Sequence, residues 1–152
     1  MVGFAGIKQH FRKRFGEWIV GAGLFGWGIG VFLAPPEVLA APIYISMARM
    51  GNLELWASIA VMVGALRLVF LVINGAWRKS AHLRAIGSGL SAVVFAAMLG
   101  SYLTTGMIIP NIFLVLPLLV ADIQALWYAT EEAASSDIKR DNLKKSKVSV
   151  QR

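Results

Sequence analysis

Apolar residues in this chain gather into four long blocks instead of alternating with polar ones. The blocks are residues 18–34, 55–76, 85–106 and 107–128, and each is 17 to 22 residues long. A helix of about 20 residues crosses the ~30 Å hydrocarbon core of a bilayer, so each block is long enough to span it. Strands are not expected, because an open sheet edge cannot satisfy its backbone polar groups in lipid. The pattern predicts an all-α integral membrane protein with four transmembrane helices.

The segments between the blocks indicate how the helices are joined. Pro35 and Pro36 end the first block, because proline lacks an amide donor and restricts the residue before it. Residues 35–54 are too short and too broken to span, which favours an outer-side loop with a short surface helix. A re-entrant segment lining a pore is the alternative. The turn at Ile108–Asn111 is short and predicts a tight antiparallel hairpin of the third and fourth helices.

Basic residues are distributed unequally between the two sides that four spans would create. Thirteen of the fifteen lysines and arginines lie in the N-terminal segment, in the loop after the second block and in residues 131–152, all on one side. Arg49 lies on the other side, and Arg67 lies within a block. Cytoplasmic segments of membrane proteins carry such an excess. The distribution therefore predicts cytoplasmic N- and C-termini and a basic cytoplasmic tail at 131–152, whose first half is expected to continue the fourth helix.

The N-terminal segment, residues 1–17, has an amphipathic pattern surrounded by basic residues. Its apolar stripe repeats every three or four residues and consists of Phe4, Ile7, Phe11, Phe15 and Trp18. A basic amphipathic helix lies in the membrane interface, so we expect an interfacial helix that binds anionic lipids. An ordinary positive-inside flank with chance aromatics is the alternative. The residues expected to contact lipid head groups are Lys8, Arg12, Lys13, Arg14, Trp77, Arg78, Lys79 and Arg84.

A cleaved signal peptide is a second interpretation of the first block. A basic start, an apolar middle and the sequence Val38-Leu39-Ala40 would suit one. The basic region is long for a signal peptide, and cleavage would leave three spans. Both points favour a retained first helix.

Composition narrows the classes of function. Apolar residues make up 57% of the chain and charged residues 15%, and the mean hydropathy is +0.66, against about 45–50% and 25% in soluble domains. These values exclude a soluble enzyme, a nucleic-acid-binding module and a disordered chain. The chain has no cysteine, and its two histidines lie in polar segments. With no nucleophile–base set or metal-ligand cluster in the sequence, we expect no enzymatic activity, no cofactor, no metal and no nucleic-acid partner.

Two charged residues interrupt the apolar blocks, Arg67 in the second and Asp122 in the fourth. Arg67 precedes Arg78 by about 16 Å of helix and Asp122 precedes Glu131 by about 14 Å, so both lie at a similar depth. A lone charge inside a bilayer costs a few kcal/mol or more, which predicts an intramembrane ion pair between them. The pair is open to three interpretations: a polar clamp that fixes helix register, part of an ion or proton path, or a contact that opens between conformations.

Other polar groups near these charges are few, which argues against a substrate-sized transport site. Glu17, at the cytoplasmic edge, is expected to pair with Arg14 or Arg84. The loop that ends at Arg84 fits a positive-inside loop, with a site for a phosphate group or an acidic partner as the alternative. The remaining polar candidates within the blocks are Asn74, Ser91, Tyr102 and Gln124.

Small residues on the first and third blocks predict faces for close helix packing, which drives helix association in lipid. In the first block Gly26 and Gly30 form a small-xxx-small pair. Packing inside the bundle is the favoured interpretation for the third block, and oligomerisation is the alternative. The first block has glycine on several faces, which suggests both an internal and an external contact. The stripe of the third block, at a spacing of four, consists of Ser88, Ala92, Ala96 and Gly100.

Three short motifs resemble those of small four-span membrane proteins encoded by tailed bacteriophages and prophages. They are FRKRFGEW at Phe11–Trp18, the stretch from Leu66 to Arg84 with its Asn-Gly-x-Trp-Arg-x-Ser-x-x-Leu-Arg run, and PLLVADI at Pro117–Ile123. The resemblance implies a phage origin and residence in the bacterial inner membrane, and it transfers no catalytic residue.

Architecture and resemblance together lead us to expect a non-enzymatic phage-type inner-membrane protein. It would oligomerise and modify or permeabilise the host membrane, with anionic lipids and further copies of itself as partners. One alternative is a small channel or transporter subunit that uses the Arg67–Asp122 pair. Another is a membrane anchor whose basic tail recruits a cytoplasmic or virion protein.

Overall fold

The structure is a computed structural model and describes residues 14–76, 80–104 and 111–150, of which 75–76 and 143–150 are described by their backbone alone. Helices make up 92% of these described residues, and no strand occurs among them. Most of the interfacial helix predicted at residues 1–17 lies outside the described residues, as do the predicted head-group contacts Lys8, Arg12, Lys13, Trp77, Arg78 and Lys79.

Six helices follow one another in the described chain. In chain order they are α1 Phe15–Leu33, α2 Pro36–Leu39, α3 Pro42–Met50, α4 Leu53–Ala76, α5 Ala81–Leu103 and α6 Ile112–Val150. Four of them, α1, α4, α5 and α6, are long and apolar enough to cross a membrane. These four apolar helices indicate a multi-pass membrane protein.

The helix bounds differ from the predicted blocks, most clearly at the starts of α1 and α5 and at both ends of α6. α1 begins at Phe15 and α5 at Ala81, each one turn earlier than the apolar block, because polar first-turn residues continue the helix. α6 begins at Ile112 instead of residue 107 and does not end with its apolar part. It continues through the predicted tail to Val150. The segment 35–54, predicted to be an outer-side loop with a short surface helix, contains two short helices, each with a proline in its first turn.

The four long helices pack as two tight pairs, α1 with α4 and α5 with α6, joined by a looser contact of α4 with α5. Glycines bring the first pair together. An added Cβ on Gly28 would lie 2.6 Å from the carbonyl oxygen of Ala57, and one on Gly64 would lie 2.8 Å from the Cα of Phe25. Each helix therefore offers a glycine where the other backbone passes, as close packing in lipid favours.

The face of α1 that packs within the chain does not include Gly26 and Gly30. Both glycines are exposed, and an added Cβ on either would have no described atom within 4 Å. The buried side instead follows steps of three and four residues through Gly21, Leu24 and Gly28. Gly26 and Gly30 lie on the opposite side of the helix, so the internal contact expected for this block uses Gly21 and Gly28 and leaves Gly26 and Gly30 facing outward.

The predicted stripe of α5 coincides with the buried face only in part. Ser88 is buried and Ala92 and Gly100 are half-buried, whereas Ala96 is exposed. Four residues turn an α-helix by about 400°, so every step of four moves the stripe by about 40° around the axis. Alternating steps of three and four keep to one side instead. The face that is buried consists of Arg84, Ser88, Ser91, Phe95, Met98 and Tyr102.

One end of the bundle is filled with apolar side chains. Leu24 of α1 and Val94, Phe95 and Met98 of α5 are buried there, and the short helix α3 adds Met47. Ser46 and Ser101 are buried at this end too, and each hydroxyl donates to a carbonyl of its own helix. The charged residues of the core lie in the other half of the bundle.

α6 extends well beyond the apolar part of the bundle. Trp127 and Tyr128 are exposed near the end of its apolar stretch, where aromatic side chains anchor a helix at the membrane interface. The helix runs for another 19 residues after Glu131, or about 28 Å. Ala133 is the one buried side chain among residues 131–142. The extension therefore presents nearly all of its surface to its surroundings.

Candidate functional site

The core of the bundle holds a buried ion pair between α4 and α6. The Arg67 guanidinium, 3% exposed, donates from Nη1 to Oδ1 of Asp122, which is fully buried. Each residue lies at least nine residues, or about 14 Å, from the nearest end of its helix. The structure thus brings together the two charges whose similar depth along their helices predicted an ion pair.

A third helix joins the pair through Ser91, in the middle of α5. The same Nη1 atom of Arg67 donates to the Ser91 hydroxyl oxygen. That hydroxyl donates in turn to the backbone carbonyl of Gly87 at 3.0 Å. Ser91 is fully buried, and its bond to the Gly87 carbonyl leaves the hydroxyl oxygen to accept from Arg67. Three helices therefore meet at one polar centre, which we call the Arg67 site: Arg67, Ser91 and Asp122.

One atom of the Arg67 site lacks a partner in the described structure. The second carboxylate oxygen of Asp122, Oδ2, is buried and accepts no hydrogen bond from any described residue. A buried polar atom left without a partner carries a desolvation cost of about 1–3 kcal/mol, and more where the group is charged. Asp122 therefore keeps an unused acceptor inside the bundle.

A second polar cluster ties α1, α5 and α6 together near one end of the bundle. Two nitrogens of Arg84 donate to the carboxylate of Glu17, Nε at 3.3 Å and Nη2 at 2.8 Å. Its Nη1 donates to Glu132 at 2.6 Å. Arg84 is 9% exposed, so the prediction that it contacts lipid head groups is wrong. The pairing of Glu17 with Arg84, one of its two expected partners, is present.

Arg14 belongs to the same cluster. Its side chain is 19% exposed and lies 3.9 Å from Glu132. Burial is the main cause that lowers the pKa of the Arg14 guanidinium, and the positive charge of Arg84 is the second. Arg14 is thus held near the carboxylate of Glu132 while it stays half-buried, and its contact with lipid head groups remains a prediction. We call Arg14, Glu17, Arg84 and Glu132 the end cluster.

A cleft runs between α1 and α6 from the end cluster to the Arg67 site. α1 and α6 meet along a much shorter stretch than the other neighbouring pairs of long helices, which leaves a space of about 270 Å³ between them. Arg14 and Glu17 lie at one end of the lining and Arg67 at the other. Gly16 and Val20 complete the α1 wall. The α6 wall consists of Ala121, Gln124, Ala125 and Tyr128.

The distinctive run from Asn74 to Arg84 has structural roles that the sequence did not reveal. The Asn74 side chain, 4% exposed, donates to the carbonyl of Ser80 at 3.1 Å and accepts from its amide at 2.6 Å. The Ser80 hydroxyl accepts from the amide of Leu83 and caps α5. Asn74 thus closes the turn between α4 and α5 and places Arg84 in the first turns of α5.

A second cavity lies beside the start of α5 and the α6 extension. It measures about 430 Å³ and is lined by Ser80, His82, Ser136, Asp137 and Arg140, among others. His82 and Asp137 approach to 3.4 Å and both are more than half exposed. Across residues 14–76, 80–104 and 111–142, no three metal-ligating side chains come together.

Ser91 is the residue of the Arg67 site that was hardest to identify from the sequence, where it is one of several polar candidates. Its spacing from Arg84 is the signal that would have distinguished it. Arg84 and Ser91 are seven residues apart, two helical turns, and therefore share one face of α5.

No protein-family model matches the chain, and no curated protein or solved structure shows significant similarity to it.

Proposed function

We propose that the chain is a non-enzymatic protein of a bacterial inner membrane, of phage origin, that self-associates and raises the permeability of that membrane. The observation that carries the proposal is the cleft between α1 and α6. It presents Arg14, Glu17 and Gln124 sideways, at a flank that meets lipid in a single copy. Hydrocarbon cannot solvate such groups, so water or a neighbouring copy must cover this flank.

The outward side of α1 supports self-association at the same flank. Gly16, Gly23 and Gly30 are seven residues apart and form one line along the helix, and Gly16 itself lines the cleft. An added Cβ on any of the three would meet no described atom within 4 Å. A glycine line of this kind lets the backbone of a second helix approach closely in lipid. A ring of copies would turn the polar flanks toward one another and away from lipid.

Permeabilisation is tested by inducing the protein in bacteria and following a potential-sensitive dye. We expect induction to collapse the membrane potential. Replacing Gly23 and Gly30 by leucine should abolish the collapse, because the side chains block close approach. Ala96→Leu is the matched control, since Ala96 is also small and exposed on a spanning helix. Full membrane potential at high expression of the unaltered protein would refute the proposal.

Self-association itself is tested by disulfide crosslinking, since the chain has no cysteine of its own. Gly30→Cys should form dimers on oxidation in membranes, and Ala96→Cys should not. Equal crosslinking at the two positions would indicate random collision and would contradict a glycine-mediated contact.

We propose further that both termini are cytoplasmic. Two observations support this orientation. Basic residues are concentrated in the N-terminal segment, the loop after α4 and residues 131–152, as in cytoplasmic segments. The end cluster and the α6 extension also lie at the same end of the bundle. Single cysteines test the orientation in intact cells with a membrane-impermeant thiol reagent. Glu37→Cys should react from outside, and Ser135→Cys only after permeabilisation. The reverse result would invert the topology.

The α6 extension favours a second candidate function, a membrane anchor for a cytoplasmic or virion protein. A helix that projects about 28 Å with nearly all side chains exposed suits a docking element. Its end is basic, which favours an acidic partner. The test is a chain truncated after Asn142. If a specific partner co-purifies with the full chain and is lost on truncation, while membrane insertion persists, the anchor function is supported. A chain whose co-purifying proteins do not change on truncation contradicts it.

A further inference from the structure

We propose that the cleft between α1 and α6, which opens at the flank of the bundle, holds water that enters from the end cluster only, and that Asp122 exchanges protons with the compartment at that end. The inference rests on the proposed function, because it concerns the same flank and names the proton as the species that this flank takes up from one compartment. It adds a site for that species at the Arg67 site.

The chemistry of the cleft lining favours water over an acyl chain. Arg14, Glu17, Gln124 and Tyr128 bring charged or hydrogen-bonding groups into it, and Arg67 forms part of its inner end. An acyl chain would satisfy none of these groups, whereas water hydrates all of them. With about 270 Å³, the cleft has room for several molecules at the ~30 Å³ that each occupies in the liquid.

The length of the cleft matches the distance to be covered. Its α6 wall extends from Tyr128 to Ala121, seven residues or about 10 Å along the helix. Asp122 follows Ala121 directly and lies one-quarter of a turn further round the helix, against Arg67. Arg67 touches both the cleft and Asp122, so water that reaches the guanidinium lies next to the buried carboxylate.

Access is one-sided because the other half of the bundle is closed. Beyond the Arg67 site, toward α3, the next layer of the core consists of the packed apolar side chains of Leu24, Val94, Phe95 and Met98. The buried Ser101 and Tyr102 follow only after this apolar layer along α5. Close-packed apolar groups offer water neither space nor hydrogen bonds. The path therefore leads from the end cluster to the Arg67 site and stops there.

Asp122 has the features of a proton acceptor at the end of such a path. Its Oδ2 atom is fully buried and accepts no hydrogen bond from the described residues, so it is available to hold a proton. The groups that face it are Arg67 from α4, the neutral Ser91 from α5 and, across the cleft, Glu17 from α1. When a proton binds, the carboxyl becomes neutral and the attraction of Arg67 for it falls. Arg67 is then free to turn toward the water of the cleft.

Thiol labelling of single cysteines in the cysteine-free full chain tests the path. Charged methanethiosulfonate reagents attack thiolates that water can reach. Ala121→Cys, on the cleft wall, is compared with Val120→Cys, its neighbour at the same depth, which is 57% exposed on the outer surface of the bundle. Ser135→Cys, on the α6 extension, reports which side the reagent comes from.

We expect Ala121→Cys to react at least tenfold faster than Val120→Cys, and only from the side that labels Ser135→Cys. Equal rates at positions 120 and 121, or no reaction at 121, would mean that lipid or protein fills the cleft and would overturn the inference. Labelling of Ala121→Cys from the opposite side would overturn the one-sided path. Size-exclusion chromatography of each variant verifies that it is folded.

Proton exchange at Asp122 is measured with a hydrophobic carbodiimide, which reacts with protonated carboxyl groups, and with mass spectrometry of the peptide that contains Asp122. We expect modification that decreases as the pH is raised on the Ser135 side and is unaffected by pH on the other side. Asp122→Asn should abolish it. No modification at any pH would refute proton exchange. A chain that gives these results yet leaves the membrane potential intact keeps the inference and refutes permeabilisation.

Discussion

Arg84 and Glu17, 67 residues apart in the chain, join α5 to α1 through two parallel hydrogen bonds of 2.8 and 3.3 Å. Arg84 carries a further bond to Glu132 of α6, so one side chain connects three of the four spanning helices. The two loosely joined pairs of helices meet at this point. The end cluster therefore acts as a clamp at one end of the bundle, while the Arg67 site holds its middle.

The two carboxylates of this clamp should differ in their contribution to stability. The Glu17 side chain is 14% exposed and accepts two charge-assisted bonds, whereas that of Glu132 is 46% exposed. We expect Glu17→Gln to destabilise the fold by about 1.5–3 kcal/mol, as loss of a bond to a charged group does. Glu132→Gln should change it by about 0–1 kcal/mol, because solvent screens the pair. Thermal unfolding in detergent measures both, and a larger loss for Glu132→Gln would contradict this ranking.

The turn between α4 and α5 allows a comparison of two neighbouring polar residues. Asn74→Ala removes two buried hydrogen bonds to Ser80 and should destabilise the fold by about 1–3 kcal/mol. Ser80→Ala is the matched control, because Asn74 binds only the backbone of Ser80. Ser80→Ala removes only the hydroxyl that caps α5 through a 3.4 Å bond, so it should lower the stability of the fold by at most about 1 kcal/mol. Similar shifts of the melting temperature for the two variants would indicate that the Asn74 contacts contribute little.

Two glycines of α1 should respond oppositely to the same change. Gly28→Ala places a methyl group against the backbone of α4 and should destabilise the α1–α4 pair by about 1–3 kcal/mol. Gly26→Ala adds the same methyl group to an exposed position and should be neutral or slightly stabilising, since alanine favours helix. The measurement is the stability of the monomer at low protein-to-detergent ratio. A loss at Gly26 equal to that at Gly28 would mean that α1 is rotated relative to this structure.

Features that depend on length and depth along a helix were accessible from the sequence. The four apolar helices follow from runs of apolar residues near 20 in length, and the approach of Arg67 to Asp122 follows from their equal distances to the same membrane surface. Both inferences use only the rise per residue. They need no knowledge of which way a helix is turned.

Features that depend on rotation about a helix axis were not accessible. Gly26 and Gly30 have the spacing of a packing motif but lie on the outer side of α1, because Gly28 fits the α4 backbone more closely. Arg84 has the position of a head-group contact but turns inward, because two carboxylates from distant helices meet it there. The rotation of each helix about its axis depends on all of its contacts with the other helices, and these contacts cannot be read from the local sequence.

The central claim is that the bundle is organised around the Arg67–Asp122 pair, and a double-mutant cycle tests it most directly. Arg67→Ala, Asp122→Ala, the double variant and an exposed control, Glu54→Ala, are compared by thermal unfolding and by yield of folded protein. Each single variant leaves an unpaired buried charge and should lose about 3–5 kcal/mol. The double variant should be more stable than either single one, whereas Glu54→Ala should add independently to each. A double variant whose loss equals the sum of the two single losses would show that these side chains do not pair, and would contradict the account.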